Sequence, residues 1–123
     1  MNELEQAKLL AAIARDAAAS SDLDDCLRRV MDRLHAAIRF KGGSLAFPDD
    51  DGSLAIRVAV GVIDEAARAV RLRPGEGIVG TVFSSGSSFR TGDLDGESRV
   101  TPAARTVGTN RLMRSFLCVP LAH

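Results

Sequence analysis

The residues of this chain best placed to do chemistry are three glycines in the run Pro74-Gly75-Glu76-Gly77-Ile78-Val79-Gly80. Their spacing is Gly-x-Gly-x-x-Gly, which in a strand-turn-helix setting lets backbone N–H groups cradle a dinucleotide pyrophosphate. That chemistry needs a buried parallel strand before the turn, a long helix after it and an acidic residue about 20 positions on for a ribose hydroxyl. Here Arg71-Leu72-Arg73-Pro74 precede the glycines and are too polar for a buried parallel strand. The helix that could follow, residues 78–85, is cut off by Ser84-Ser85-Gly86. Asp93 and Asp95 stand near the required distance, but in a polar loop and not at a strand end. The run therefore reads as a loop that enters a short helix.

Other reactive residue types are sparse. Cys26 and Cys118 lie far apart and match neither a CxxC pair nor a zinc spacing. Each sits in an apolar pattern, Cys26 on a helix and Cys118 in a strand, which suits a buried, unreactive thiol. A redox switch through the pair is the weaker alternative. His35, beside Leu34, and the terminal His123 belong to no metal-ligand cluster. Asp49-Asp50-Asp51 is a run of carboxylates, but an EF-hand places its ligands at alternate positions with a distal glutamate, so a polar hairpin turn is the better reading. No Ser/His/Asp grouping or acid–base pair emerges.

The chain has 123 residues, 46% of them hydrophobic, and a formal net charge of zero. That length makes one domain able to bury about two-thirds of the surface of its unfolded form. No apolar run approaches the roughly 20 residues that span a bilayer, and the first residues lack the basic start of a secretory signal. A cytoplasmic location follows as the expectation. Zero net charge argues against nucleic acid or anionic membrane as partner. The arginines Arg90, Arg99, Arg105, Arg111 and Arg114, balanced by Asp93, Asp95 and Glu97, suit a solvated surface of mixed sign. Heavy use of arginine and alanine with scarce lysine suggests a GC-rich bacterial genome.

The elements that must position these residues can be read along the chain. Residues 4–19 are alanine-rich, with Leu4, Leu9, Leu10, Ile13 and Ala17 near one face, and predict a helix. Ser21 can cap a second helix, with Asp22, Asp24 and Asp25 at its positive end. In that helix Leu23, Cys26, Leu27, Val30, Met31, Leu34 and Ile38 recur at intervals of three and four. It stops before Gly42-Gly43. Residues 44–47 and 53–60 predict a hairpin, the second strand alternating Leu54, Ile56, Val58 and Val60 with Ala55, Arg57 and Ala59. A short helix over 64–70, a short strand over 70–73, the glycine loop with its helix, and a strand over 87–91 follow. Residues 93–98 read as loop. Thr101-Pro102 start a small helix that Gly108 ends, and residues 115–121 form a compact apolar strand.

In this order the elements resemble the GAF family of small-molecule sensor domains. Three signatures carry the resemblance. One is the amphipathic helix leading into Gly43-Ser44-Leu45-Ala46-Phe47 and the acidic turn. Another is the glycine run followed by Ser85-Gly86 and Asp93-Leu94-Asp95. The last is Arg114-Ser115-Phe116-Leu117-Cys118-Val119-Pro120-Leu121, which looks like the family's central strand. The match covers roughly residues 23–121. It implies an α+β fold, an antiparallel sheet with helices packed on one face and a pocket covered by loops and short helices on the other. Residues 1–20 would be a linker or dimerisation helix and 21–123 the GAF-like domain. The family normally continues past Val119-Pro120-Leu121 with another strand and a closing helix, so the expectation is a shortened domain or a fragment with an unpaired sheet edge.

The resemblance also implies a function: a non-catalytic sensory or regulatory domain in signal transduction. It would bind a small molecule, dimerise, or both. The alternative is an enzyme on the same fold, a free methionine sulfoxide reductase, whose several catalytic cysteines are not matched by Cys26 and Cys118. If a pocket exists, Ile78, Val79 and Phe83 would form its wall, Phe89, Thr91 and Asp93 would line the adjoining strand and loop, and Ser115 would lie near the floor. N–H groups at the start of the Gly77 helix could meet an anionic group, with Arg90 or Arg114 adding a charge-assisted bond. For any one of these apolar residues a plain core position is the simpler reading. The cofactor stays unknown. There is no cysteine-histidine pair for a bilin, and Thr109-Asn110-Arg111-Leu112 offers no histidine for heme. The expected partners are a small-molecule ligand and a second copy, joined through the N-terminal helices or the exposed sheet edge, with neither nucleic acid nor membrane.

Overall fold

The computed structural model describes residues 1–62, 69–94, 96–97 and 114–121. They fall into two compact units: Met1–Leu45 with Arg57–Val62, and Ala46–Ile56 with residues 63–123.

The first unit begins with α1 (Glu3–Ala19), whose first turn is closed by Asn2, the side chain of which accepts from the Glu5 N–H at 2.8 Å. Glu3 and Glu5 complement the positive end of the helix. Buried Ala12 and half-buried Leu9, Ile13 and Asp16 share one face, and α1 packs against α2 (Leu23–Ile38). The apolar stripe is not the one the sequence suggests: Leu4 and Leu10 are 63% and 67% exposed, and Ala17 is exposed too. With so many alanines, each small enough for either environment, the pattern does not fix which face turns inward.

Helix α2 is capped by Asp22, not Ser21. Its carboxylate accepts from the Asp24 N–H at 3.1 Å, because the helix starts at Leu23 and places Asp22 in the extended capping conformation. The helix ends at Arg39, which adopts the left-handed conformation (φ 60°) and donates its N–H to the His35 carbonyl at 2.9 Å. The His35 ring stacks obliquely on Phe40, 4.9 Å between centroids.

A hairpin follows, β1 (Gly42–Pro48) and β2 (Leu54–Gly61). Its open end belongs to the first unit and its turn to the second. Met31 of α2 and Val58 and Val60 of β2 form the first core, with Leu27, Leu34, Phe40 and Leu45 packed on it. The three-and-four stripe of α2 and the alternation of β2 are thus two halves of one apolar contact. Arg57, on the opposite face of β2, reaches Asp24 at 2.5 Å.

In the second unit the acidic turn is held by its own carboxylates. Asp51 accepts from the Ser53 hydroxyl (2.6 Å) and N–H (3.0 Å), and these bonds hold its carboxyl below the usual value. Asp49 pairs with Arg71. The expected strand over 70–73 shrinks to one bridge: Leu72 pairs antiparallel with Leu54, both buried. The glycine loop then leads into α3 (Gly77–Ser85), followed by β3 (Phe89–Thr91) and β4 (Phe116–Cys118). These last two are antiparallel, with Phe89 opposite Cys118 and Thr91 opposite Phe116. The α+β class holds, with the antiparallel pairing shared between two small sheets among the described residues. The expected helices over 64–70 and from Thr101 lie largely or wholly outside the described residues; Ala69 and Val70, which are described, are not helical. No described helix is long and apolar enough to cross a membrane.

One polar tie joins α1 to α2. The Asp16 carboxylate accepts from Arg33 Nε at 2.6 Å, and this bond, opposed by desolvation, holds the Asp16 carboxyl below its ordinary value of 3.8. A lowered native value means the pair stabilises the fold fully above the ordinary carboxylate range. The contribution fades as the pH falls through the native value. Asp16→Asn should therefore lower the urea midpoint at neutral pH, with the gap to the unaltered protein closing in strong acid. Urea titrations of both forms across the acidic range check this; a gap that widens in acid would contradict it.

Candidate functional site

The glycine loop has a local reason for each of its glycines. Gly75 and Gly77 have φ of 86° and 66°, a region that side chains avoid. Gly80 is needed for space: a Cβ there would lie 2.5 Å from the Arg73 carbonyl oxygen. The loop folds back on the first turn of α3. The Gly75 N–H donates to the Gly80 carbonyl at 2.7 Å, and the Glu76 N–H to the Arg73 carbonyl at 3.0 Å. Glu76 holds the N-cap position without capping the helix; its carboxylate accepts instead from the Arg73 N–H at 3.4 Å. The Thr81 hydroxyl donates to the Gly77 carbonyl at 2.6 Å. The strand that a pyrophosphate grip requires is replaced by the single antiparallel bridge at Leu72, so the spacing serves a tight turn against a helix.

Behind this turn lies the second apolar core. Ile78, Val82 and Leu94 are buried together, with Phe89, Phe116 and Cys118 packed on them. Ile78 and Val82 are one helical turn apart and face inward as a pair. Two of the residues expected to line a pocket, Ile78 and Phe89, are thus part of this core. Val79 is half-buried, and Phe83, one turn beyond it, is 47% exposed. Thr91 is half-buried and exchanges bonds with the next turn: its hydroxyl accepts from the Asp93 N–H (3.2 Å) and donates to the Asp93 carbonyl (3.3 Å). Asp93, Arg114 and Ser115 are exposed. The Arg114 carbonyl accepts from the Leu94 N–H at 2.6 Å, which fastens the loop after β3 to the start of β4.

The sequence pattern misses Val82 and Leu94 as the partners of Ile78. The first is legible from its four-residue spacing. The second, between two aspartates, gives no periodic signal. Cys118 is half-buried, not buried as expected, and desolvation pushes its thiol pKa up. A nucleophilic cysteine needs the opposite shift. Cys26 is likewise free and half-buried. Among the described residues no group of His, Cys, Asp and Glu is arranged to hold a metal ion.

The close approach at Gly80 sets two effects against each other. In a helix interior, alanine is favoured over glycine by about 1 kcal/mol. Against that, a methyl 2.5 Å from a backbone carbonyl forces the loop off the helix. Overpacking of this kind costs about 1–3 kcal/mol. Gly80→Ala should therefore destabilise the protein in chemical denaturation, and a neutral or stabilised variant would show that the loop does not rest on α3.

Comparisons with known proteins converge on one family. The family model described as "GAF domain" matches residues 20–123. The chain is 31% identical over 122 residues to the Nif-specific regulatory protein of Azotobacter vinelandii, a match covering 96% of this chain and 23% of that protein. The chain thus spans less than a quarter of that relative's length. Among solved structures it is similar to the GAF domain from a phosphoenolpyruvate-protein phosphotransferase of Coxiella burnetii, with a TM-score of 0.80 and 23% identity, covering 100% of this chain and 73% of that one. The free methionine-R-sulfoxide reductase of Neisseria meningitidis is similar in fold as well, with a TM-score of 0.74 and 19% identity over 100% of this chain and 70% of that one. With its glycine loop, its paired short strands and this match across most of its length, the chain belongs to the GAF domain family.

Proposed function

We propose that this chain is a non-catalytic sensory or regulatory domain that acts by binding a small molecule, by pairing with a second copy, or by both. The observation that carries the reading is its 31% identity, over nearly its whole length, to a regulatory protein. The ligand face would be built from the candidate residues that the core leaves accessible. Phe83 and Val79 give it an apolar edge, and Thr91, Asp93, Arg114 and Ser115 give it hydrogen-bonding groups. Ile78 and Phe89 support this face from within. The dimer would form through the N-terminal helices or through an exposed sheet edge, and the setting would be the cytoplasm.

The likeness to a methionine sulfoxide reductase concerns the fold alone. The chemistry of Cys118 runs against an enzyme of that kind. Its thiol sits among Ile78, Val82 and Leu94, where desolvation favours the protonated form.

Two measurements test the reading together. Native mass spectrometry of protein purified from its own host is expected to show a retained small molecule, a dimer, or both. Incubation of the purified protein with free methionine sulfoxide and a thiol reductant is expected to give no turnover. Turnover that disappears in Cys118→Ser would overturn the non-catalytic reading.

A further inference from the structure

The first apolar core is built without α1. From α2 it takes Leu27, Met31 and Leu34, which share one stripe of the helix and pack with Val58 and Val60 of β2 and with Phe40 and Leu45. Cys26, Val30 and Arg33 form a second stripe, each one residue earlier and so about 100° around the axis. Arg33 bonds to Asp16 of α1, so this second stripe is the one that α1 covers. Cys26 and Val30 are half-buried there.

Helix α1 brings little apolar surface to that contact. All of its residues are described, and Ala12 is the one that is buried. Leu9, Ile13 and Asp16 are half-buried, while Leu4 and Leu10 are exposed. A methyl group removes little area from water, so the polar tie carries a large share of the attachment. The Asp16 side chain is 22% exposed and accepts from Arg33 Nε at 2.6 Å. Arg15 and Arg29 add their attraction to the same carboxylate.

We propose that α1 is a clasped strap: it opens from α2 in one piece and uncovers the Cys26–Val30 stripe, while the core between α2 and the hairpin stays folded, and the Asp16–Arg33 pair is the clasp. Local elements with few buried apolar contacts open below the free energy of global unfolding. Once off α2, α1 loses its helix, since a free helix of 17 residues is marginal in water. The strap lies wholly in the first unit. It stands whether or not the protein binds a ligand or pairs with a second copy.

Hydrogen exchange of the unaltered protein, read by mass spectrometry, tests the strap. The α1 amides are expected to exchange together, about tenfold or more ahead of those of α2 and β2. Equal protection in the three elements would overturn the proposal, because α1 would then open only with the whole fold. The two native thiols give a second readout, their alkylation by iodoacetamide. Asp16→Asn is expected to speed the reaction of Cys26 about two- to fivefold, the range of an exposed ion pair. Added salt is expected to speed it in the unaltered protein but not in that variant. Cys118, in the other unit, is expected to keep its rate. Ala12→Asp puts a charge at the buried point of the contact and is expected to bring Cys26 close to its rate in the denatured protein, with Cys118 still protected. Cys118 exposed together with Cys26 in either variant would overturn the proposal, as would a Cys26 rate unmoved by both substitutions and by salt.

Discussion

The contact between Met31 on α2 and Val58 and Val60 on β2 organises the first unit of this protein. Neither element is stable alone in water: a helix of this length is marginal, and an isolated hairpin more so. Each carries one apolar face, at its own period, and burying the two against each other is the main gain available to both. The remaining features act at the ends of these elements. Asp22 starts the helix, Arg39 ends it, and Arg57 bonds across to Asp24. The hairpin turn is closed by Asp51 and Ser53, so a run of aspartates that resembles a metal loop at first sight has a structural task.

Much of this is legible in the sequence because period and chemistry agree. The stripe of α2, the alternation of β2 and the acidic turn each predict the element found. Legibility fails where residue types are indifferent to their surroundings. Alanine is at home on either face of α1, so the pattern points Leu4, Leu10 and Ala17 inward, whereas they lie outward. At the start of α2, Ser21 and Asp22 are both good caps, and only the helix's own first residue decides between them. The strand over 70–73 carries enough apolar character for one bridge at Leu72 but not for a ladder.

The candidate site divides in the same way. A glycine pattern says that backbone comes close to something, but not to what. Here it is the protein's own Arg73 carbonyl that Gly80 admits. For Ile78 and Phe89 a plain core position is the simpler reading of the sequence, and in the fold Ile78 is buried in the second apolar cluster with Phe89 packed against it. The polar members, Thr91, Asp93, Arg114 and Ser115, remain on or near the surface. The fold accommodates both a reductase and regulatory domains among its relatives, so function rests on individual side chains.

The joint after α2 has a consequence for how such a sequence can drift. Arg39 is the one described non-glycine residue with positive φ. A left-handed backbone costs a side chain about 1–2 kcal/mol relative to glycine. Its guanidinium, at the negative end of the helix, returns part of that through the macrodipole. Glycine would relieve the backbone and forfeit the charge; asparagine would relieve the backbone in part and forfeit the charge as well. The joint is therefore close to neutral ground, where sequences can diverge while the geometry that delivers the chain to its first strand persists.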